Sequence, residues 1–351
     1  MKSTRSSMQV MKPWGQWLNH SKVAGFTLVE LLVSMAIMSI LMLTITSVIG
    51  ETQKAWTQSV SRATQFREAR GAFDRIVRSI SQSTLNTYWD YYRENDDDPL
   101  EPPSGYIRRS ELHFICGPAP SLLTATGVSS HAIFFQAPLG VSDDAQYEKL
   151  SHLLSARGYF IQHGSDAAFR PSFLSGLASP PVRYRFRLME FAPPTENNLV
   201  YAMPENWYKS AGAASNNYAR PIAENLVALF ISPKVSREDV PNAKPPTYIA
   251  PDYRYDSRRD SEPGPNQGTQ HLLPPLVEVT LVAIDEASAL RLEDMNGSGM
   301  PNLVGGSGAQ FGDASRLRED LAALEAYLVE QKLNFRVFTT TVALRTAKWS
   351  L

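Results

Sequence analysis

The sequence has a single cysteine, Cys116, in 351 residues. That excludes an intrachain disulfide framework and any multi-cysteine zinc centre, and it leaves the redox compartment unassigned. Histidine is sparse as well. His20, His113, His131, His152, His163 and His271 are scattered without the spacing that metal ligation or a nucleophile–base pair needs. No GxSxG elbow, Walker A loop, HExxH helix or strand-borne GxGxxG turn occurs. These absences predict a protein that is not an enzyme and carries no cofactor. Charge of one sign is also missing, with 34 Lys+Arg against 35 Asp+Glu. The balance is nevertheless uneven. Lys2, Arg5, Lys12 and Lys22 lie in the first 25 residues, which hold no acid, so the remainder carries an acidic excess. Such a body lacks the clustered cations that a phosphate backbone requires, so nucleic acid is not an expected partner.

Long hydrophobic runs are absent except for one. From Phe26 to Ile49 the chain is apolar apart from a single charge, Glu30. As a helix this run reaches about 36 Å, enough for a hydrocarbon core of about 30 Å. It is longer than the apolar part of a secretory signal peptide, and only Val48 and Gly50 imitate a small-x-small cleavage site after it. A plain membrane anchor does not account for a carboxylate one turn inside the span. A charge there costs about 2.5–3.5 kcal/mol on insertion scales, which marks Glu30 as a functional position. The basic residues before the run predict a cytoplasmic leader, with the chain beyond about residue 50 on the other side.

The hexapeptide Gly25-Phe26-Thr27-Leu28-Val29-Glu30 resembles the cleavage and methylation signature of type IV prepilins and type II secretion pseudopilins. The resemblance implies a cut by prepilin peptidase between Gly25 and Phe26, N-methylation of Phe26, and an assembly role for Glu30. It also implies bacterial inner-membrane localisation with a periplasmic C-terminal domain, and other pilin subunits as partners. Physical chemistry is compatible with the Glu30 role, since a carboxylate in lipid is relieved by a cation such as a neighbouring subunit's terminal amine.

The predicted fold class is α+β. A basic leader (1–25) and a transmembrane helix (26–49) are followed by an amphipathic continuation of that helix (50–87). A mostly antiparallel, β-rich domain of pseudopilin type (88–351) completes the chain. The helix carries no proline from Glu51 to about Leu85, and Trp56, Val60, Ala63, Phe66, Phe73, Ile76, Val77 and Ile80 fall on one face. An ordinary core helix would show the same stripe. Tyr88-Trp89-Asp90-Tyr91-Tyr92 is expected to pack the helix end onto the domain, followed by an acidic, Pro-rich surface loop (94–105). Val182, Tyr184, Phe186 and Leu188 alternate with Arg183, Arg185 and Arg187, predicting a half-buried strand with a basic outer face. Further strands are expected at 106–115, 132–136, 158–162, 226–231, 277–282 and 335–346, and a helix at Ser315–Lys332. The Pro-rich stretch 241–275 reads as a surface excursion or flexible loop.

The segments LPPLVEVTLVAID (273–285) and FRVFTTTVALR (335–345) resemble the J-type minor pseudopilins. FREARGAFDRI (66–76) and TLNTYWDYYREN (84–95) resemble the Verru_Chthon cassette protein C family. Both resemblances imply membership of a multi-pilin assembly. Asp294, Asn296 and Ser298 place oxygens at alternate positions before a glycine, like the start of a calcium loop. The twelfth position of that loop is Gly305 rather than Glu, so a flexible turn is the better reading and no metal site is expected. Two functions stay open: a pilin-like filament subunit, or a single-pass anchored binding protein that uses prepilin-type export without assembly.

Overall fold

The computed structural model describes residues 27–94, 100–147, 149–170, 181–213, 216–235, 249–259 and 267–347. The architecture is α+β: a long N-terminal helix, α1 (Leu28–Ser81), followed by a domain of antiparallel sheets. The chain divides into two compact units, Met1–Gln58 and Ser59–Leu351, and α1 contributes to both.

In the second unit, α1 buries Ala69, Ala72, Phe73, Ile76 and Ile80, a stripe at three- and four-residue steps. Each large apolar side chain on that stripe contributes about 1.5–3 kcal/mol by leaving water. The helix stops at Ser81 rather than Leu85. Tight turns from Gln82 N to Ser79 O and from Ser83 N to Ile80 O close it, and Leu85 is drawn between the two hydrophobic cores.

A six-stranded sheet has the order β7-β6-β5-β4-β3-β9, built from β3 (Ile115–Pro118), β4 (Val128–Pro138), β5 (Leu154–Ser165), β6 (Tyr184–Phe191), β7 (Ala219–Glu224) and β9 (Tyr255–Asp256). A three-stranded sheet has the order β11-β10-β8, from β8 (Leu226–Lys234), β10 (Leu276–Ile284) and β11 (Phe335–Ala343). Every pair among the described strands is antiparallel. Asn225 is the single residue between β7 and β8, where the chain passes from the larger sheet to the smaller. Its φ of 61° turns the corner, its N–H donates to Phe186 O, and its carbonyl accepts from Ile284 N.

The six-stranded sheet is covered on both faces, and alternation sorts its side chains into two cores. Ile133, Phe135, Tyr159, Ile161 and Leu188 face the core shared with α1 and the smaller sheet, whereas Phe134, Phe160, Met189 and Phe191 face a second core. Gly158 sits in mid-strand because Phe134 occupies the place of its side chain: a Cβ there would lie 2.2 Å from Phe134 Cδ1. A partly buried charge cluster ties α1 to the sheet. Arg75 donates to both carboxylate oxygens of Glu190 at 2.9 and 2.5 Å, Tyr159 Oη donates to Glu190 at 2.8 Å, and Arg157 lies 3.6 Å away.

Several expectations are corrected. Arg185 and Arg187 are 2% exposed, so the basic face of β6 is interior. Arg185 pairs with Glu286 and Glu293 of α3 (Glu286–Asn296), and Arg187 with Glu224 of β7 at 3.1 Å. The aromatic cluster is strand β1 (Tyr88–Tyr92), paired with β2 (Gly105–Arg109), and it is largely exposed: Trp89 is 68% exposed, and Tyr91 lies against Tyr106 of β2 with centroids 5.4 Å apart. The single strand expected at 106–115 is two, β2 and β3, separated by a bend. The described parts of 241–275 contribute to the core, since Ala250, Tyr253, Tyr255, Leu272 and Leu273 are buried and β9 lies among them. The expected helix near the C-terminus is α5 (Leu317–Glu330).

Candidate functional site

The residues that set this chain apart lie where α1 begins. Thr27 precedes the helix and Glu30 is in its first turn. Thr27 Oγ1 accepts from Glu30 N at 3.3 Å, while Glu30 Oε2 accepts from Thr27 N at 3.1 Å and from Thr27 Oγ1 at 3.0 Å. This is a capping box, in which a Thr and a Glu three residues on satisfy each other's backbone donors. The first intrahelical bond follows directly, from Leu31 N to Thr27 O at 3.2 Å. The carboxylate is thereby folded back over the helix N-terminus, where the positive end of the helix dipole favours it. Its second oxygen, Oε1, has no partner among the described residues. The Thr-x-x-Glu spacing is the sequence signal that would have identified Thr27 as a functional residue.

From Leu28 to Thr57 the helix is long and apolar enough to cross a membrane, about 45 Å at about 1.5 Å per residue, and an 18-residue window within it has a mean hydropathy of 2.4. None of this window is buried within the chain, so apolar side chains are exposed around the whole circumference. A helix hydrophobic on every side and uncovered calls for a non-aqueous surrounding. Its polar side chains are quenched locally: Ser34, Ser39, Thr44 and Thr46 each donate to a carbonyl three or four residues earlier, at 2.8–2.9 Å. Glu30 is the one ionisable side chain between Leu28 and Gly50.

Gly25 and Phe26, the residues expected to flank the cleavage, lie outside the described residues. The calcium-like run at Asp294, Asn296 and Ser298 does not form a loop. Asp294 and Asn296 belong to the last turn of α3, where two helical positions apart means opposite sides, and Asn296 Nδ2 donates to Leu292 O at 2.8 Å. Ser298 follows in the turn after the helix, and among the described residues no group of His, Cys, Asp and Glu could hold a metal. Cys116 is buried and burial pushes its thiol up, so it is a structural residue rather than a nucleophile.

Residues 20–46 match the family model described as the prokaryotic N-terminal methylation motif. The match spans Gly25, Phe26, Thr27 and Glu30 and runs into the apolar helix. It ties this region to prepilin-type proteins and, with one apolar N-terminal helix, suggests a pilin-like or pseudopilin-like structural subunit with a single-pass membrane anchor. No curated protein and no solved structure matches the chain.

Proposed function

We propose that the chain is a minor pilin- or pseudopilin-like subunit of a type IV pilus-like or type II secretion-like filament. Prepilin peptidase cuts between Gly25 and Phe26 and methylates the new terminus. The apolar helix then holds the subunit in the bacterial inner membrane with the domain on the periplasmic side. Glu30 joins it to other pilin subunits by receiving the terminal amine of a neighbour. The resemblance of the domain segments to J-type minor pseudopilins and to the Verru_Chthon cassette protein C family supports a place in a multi-pilin assembly.

The observation that carries this reading is Glu30 itself: the one charge between Leu28 and Gly50 of an uncovered apolar helix, held by Thr27 with its second oxygen unpartnered among the described residues. A charge kept in such a place is costly unless a partner meets it. The test is co-purification of partner pilins with wild type and Glu30→Gln at matched membrane levels, together with the intact mass of the mature chain. The expected results are loss of partners in the variant and a mature terminus at N-methyl-Phe26. Equal recovery of partners would favour the anchored binding protein that only uses prepilin-type export. A mature terminus near Glu51 would mean ordinary signal-peptidase cleavage.

A further inference from the structure

On the second core's side of the six-stranded sheet, a cavity of about 280 Å³ opens to solvent. That is near the small end of the roughly 300–1,000 Å³ typical of ligand sites. Its walls are aromatic, from Phe191, Trp207 and Tyr218, and its polar groups include Asn197, Asn217 and Ser210. None of the described lining residues is charged. An uncharged lining gives a phosphate, carboxylate or ammonium ligand no counter-ion in a partly desolvated place, so the site selects a neutral molecule.

The aromatic wall is fixed from behind. Trp207 Nε1 donates to Nδ1 of buried His113 at 3.1 Å, and His113 Nε2 lies 2.7 Å from Asp256 Oδ1. An indole N–H can only donate, so Nδ1 is the acceptor and the imidazole carries its proton on Nε2, towards Asp256. Burial pushes the Asp256 carboxyl up, but the His113 hydrogen bond and the neighbouring Arg258 outweigh this and hold it below its ordinary value. With its N–H committed, Trp207, 2% exposed, backs the cavity with its ring, and half-buried Tyr218 is the aromatic side chain most open to it. Phe191 lies beside it, centroids 6.4 Å apart and planes 37° from parallel. The side chains of Asn197, Asn217 and Ser210 make no hydrogen bond to the described residues, so their donors and acceptors are open.

We propose that this cavity is a binding site for a neutral sugar, one pyranose ring of a glycan. A pyranose has an apolar C–H face that suits aromatic walls and a rim of hydroxyls that suits amides and a hydroxyl, and it carries no charge. A domain bearing such a site grips a neutral polysaccharide surface, whether or not the chain enters a filament.

The test uses the full chain in a micelle of a zwitterionic, sugar-free detergent, with cellobiose, maltose, lactose and N,N′-diacetylchitobiose as probes. Saturation-transfer NMR and titration read the binding. At least one probe is expected to bind with a Kd in the mM range. Tyr218→Ala and Asn217→Ala are each expected to weaken it about 5- to 10-fold, the worth of one lost contact. Both positions are on the cavity wall rather than in the core, and an unchanged thermal transition confirms that each variant folds. Absence of binding by every probe at about 10 mM, or equal binding by wild type and both folded variants, overturns the proposal.

Discussion

Glu190 is the residue on which the attachment of α1 to the sheet turns, and the structure predicts an asymmetry between it and its partner. Glu190 is 8% exposed in its side chain, whereas Arg75 is 56% exposed. In Arg75→Met the helix loses a bidentate pair, but Glu190 keeps Arg157 and the hydroxyl of Tyr159, and water reaches the vacated side. That change costs about 1–2 kcal/mol. In Glu190→Gln the size is kept and the charge removed, and Arg157, 7% exposed in its side chain, loses the one carboxylate that pairs with it among the described residues. Arg157 Nε already lacks a partner among the described residues, so this guanidinium is poorly satisfied even in the wild type. An orphaned buried charge costs about 3–5 kcal/mol. At about 2 °C per kcal/mol for a unit of this size, the expected drop in Tm is about 6–10 °C for Glu190→Gln and about 2–4 °C for Arg75→Met. Thermal unfolding of the full chain in detergent, followed by near-ultraviolet circular dichroism, measures both. If Arg75→Met costs as much as Glu190→Gln or more, the surface pair rather than the buried anion holds the helix, and the reasoning fails.

Stability should also depend on acid. Burial pulls His131 down to about 4, and burial with nearby Arg258, Arg109 and Arg108 does the same to His271, against about 6.5 unfolded. The unfolded chain therefore takes up protons first, and stability is full above about pH 6.5 and falls towards pH 4, by up to about 3 kcal/mol for His131. His131→Asn, which can still accept from Ile231 N, should flatten the Tm profile in that window. Gly158→Ala drives a methyl into the fully buried Phe134 ring and should cost about 1–3 kcal/mol or more, read as a lowered Tm. Asp285→Ala removes the cap of α3, which accepts from Ser288 N at 2.8 Å and from Asn334 Nδ2 at 2.9 Å, and should cost about 1–3 kcal/mol and speed amide exchange at the start of that helix.

How legible the molecule was in its sequence depended on how far away each residue's partner lies. The apolar helix, strands β4, β5, β8, β10 and β11, and helix α5 carry their own periodicity, and each was readable locally. The basic face of β6 was not, because alternation tells which residues share a face and not whether that face is covered. Arg185 is interior only because α3, about a hundred residues later, brings Glu286 and Glu293 to it. α3 was itself missed: its Asp-x-Asn-x-Ser run suggested a loop, while the helix signals, Asp285 at the start and Gly297 with φ 60° at the end, are equally local. In the Pro-rich stretch, composition spoke for solvent, but Tyr253 and Tyr255 are interior because β3 offers an edge for β9. At the candidate site the sequence identified Glu30 and not Thr27, since a costly charge draws attention that a capping threonine does not.

The helix start and the domain place opposite demands on their side chains, and this gives the Glu30 experiment its internal control. Between Leu28 and Thr57 nothing is buried within the chain, and the serines and threonines of the span bond to their own backbone. Among the described residues no tertiary contact therefore depends on Glu30. Its replacement by Gln leaves a side chain that can still accept from Thr27, so the capping bond and the helix start persist while the negative charge goes. The domain, whose stability rests on residues from Ser59 onward such as Phe73, Ile76 and Glu190, should unfold at the same temperature in both proteins. Any loss of partner recovery in Glu30→Gln is then a loss of a contact made outside the chain, by a group that needs a charge and not merely an acceptor. Thr27→Val sharpens the distinction, because it removes the side chain that holds the carboxylate and leaves the charge in place. If Glu30 acts through its charge on a neighbour, Thr27→Val should weaken recovery less than Glu30→Gln does. The reverse order would mean that the capping geometry, rather than the charge, is what the assembly reads.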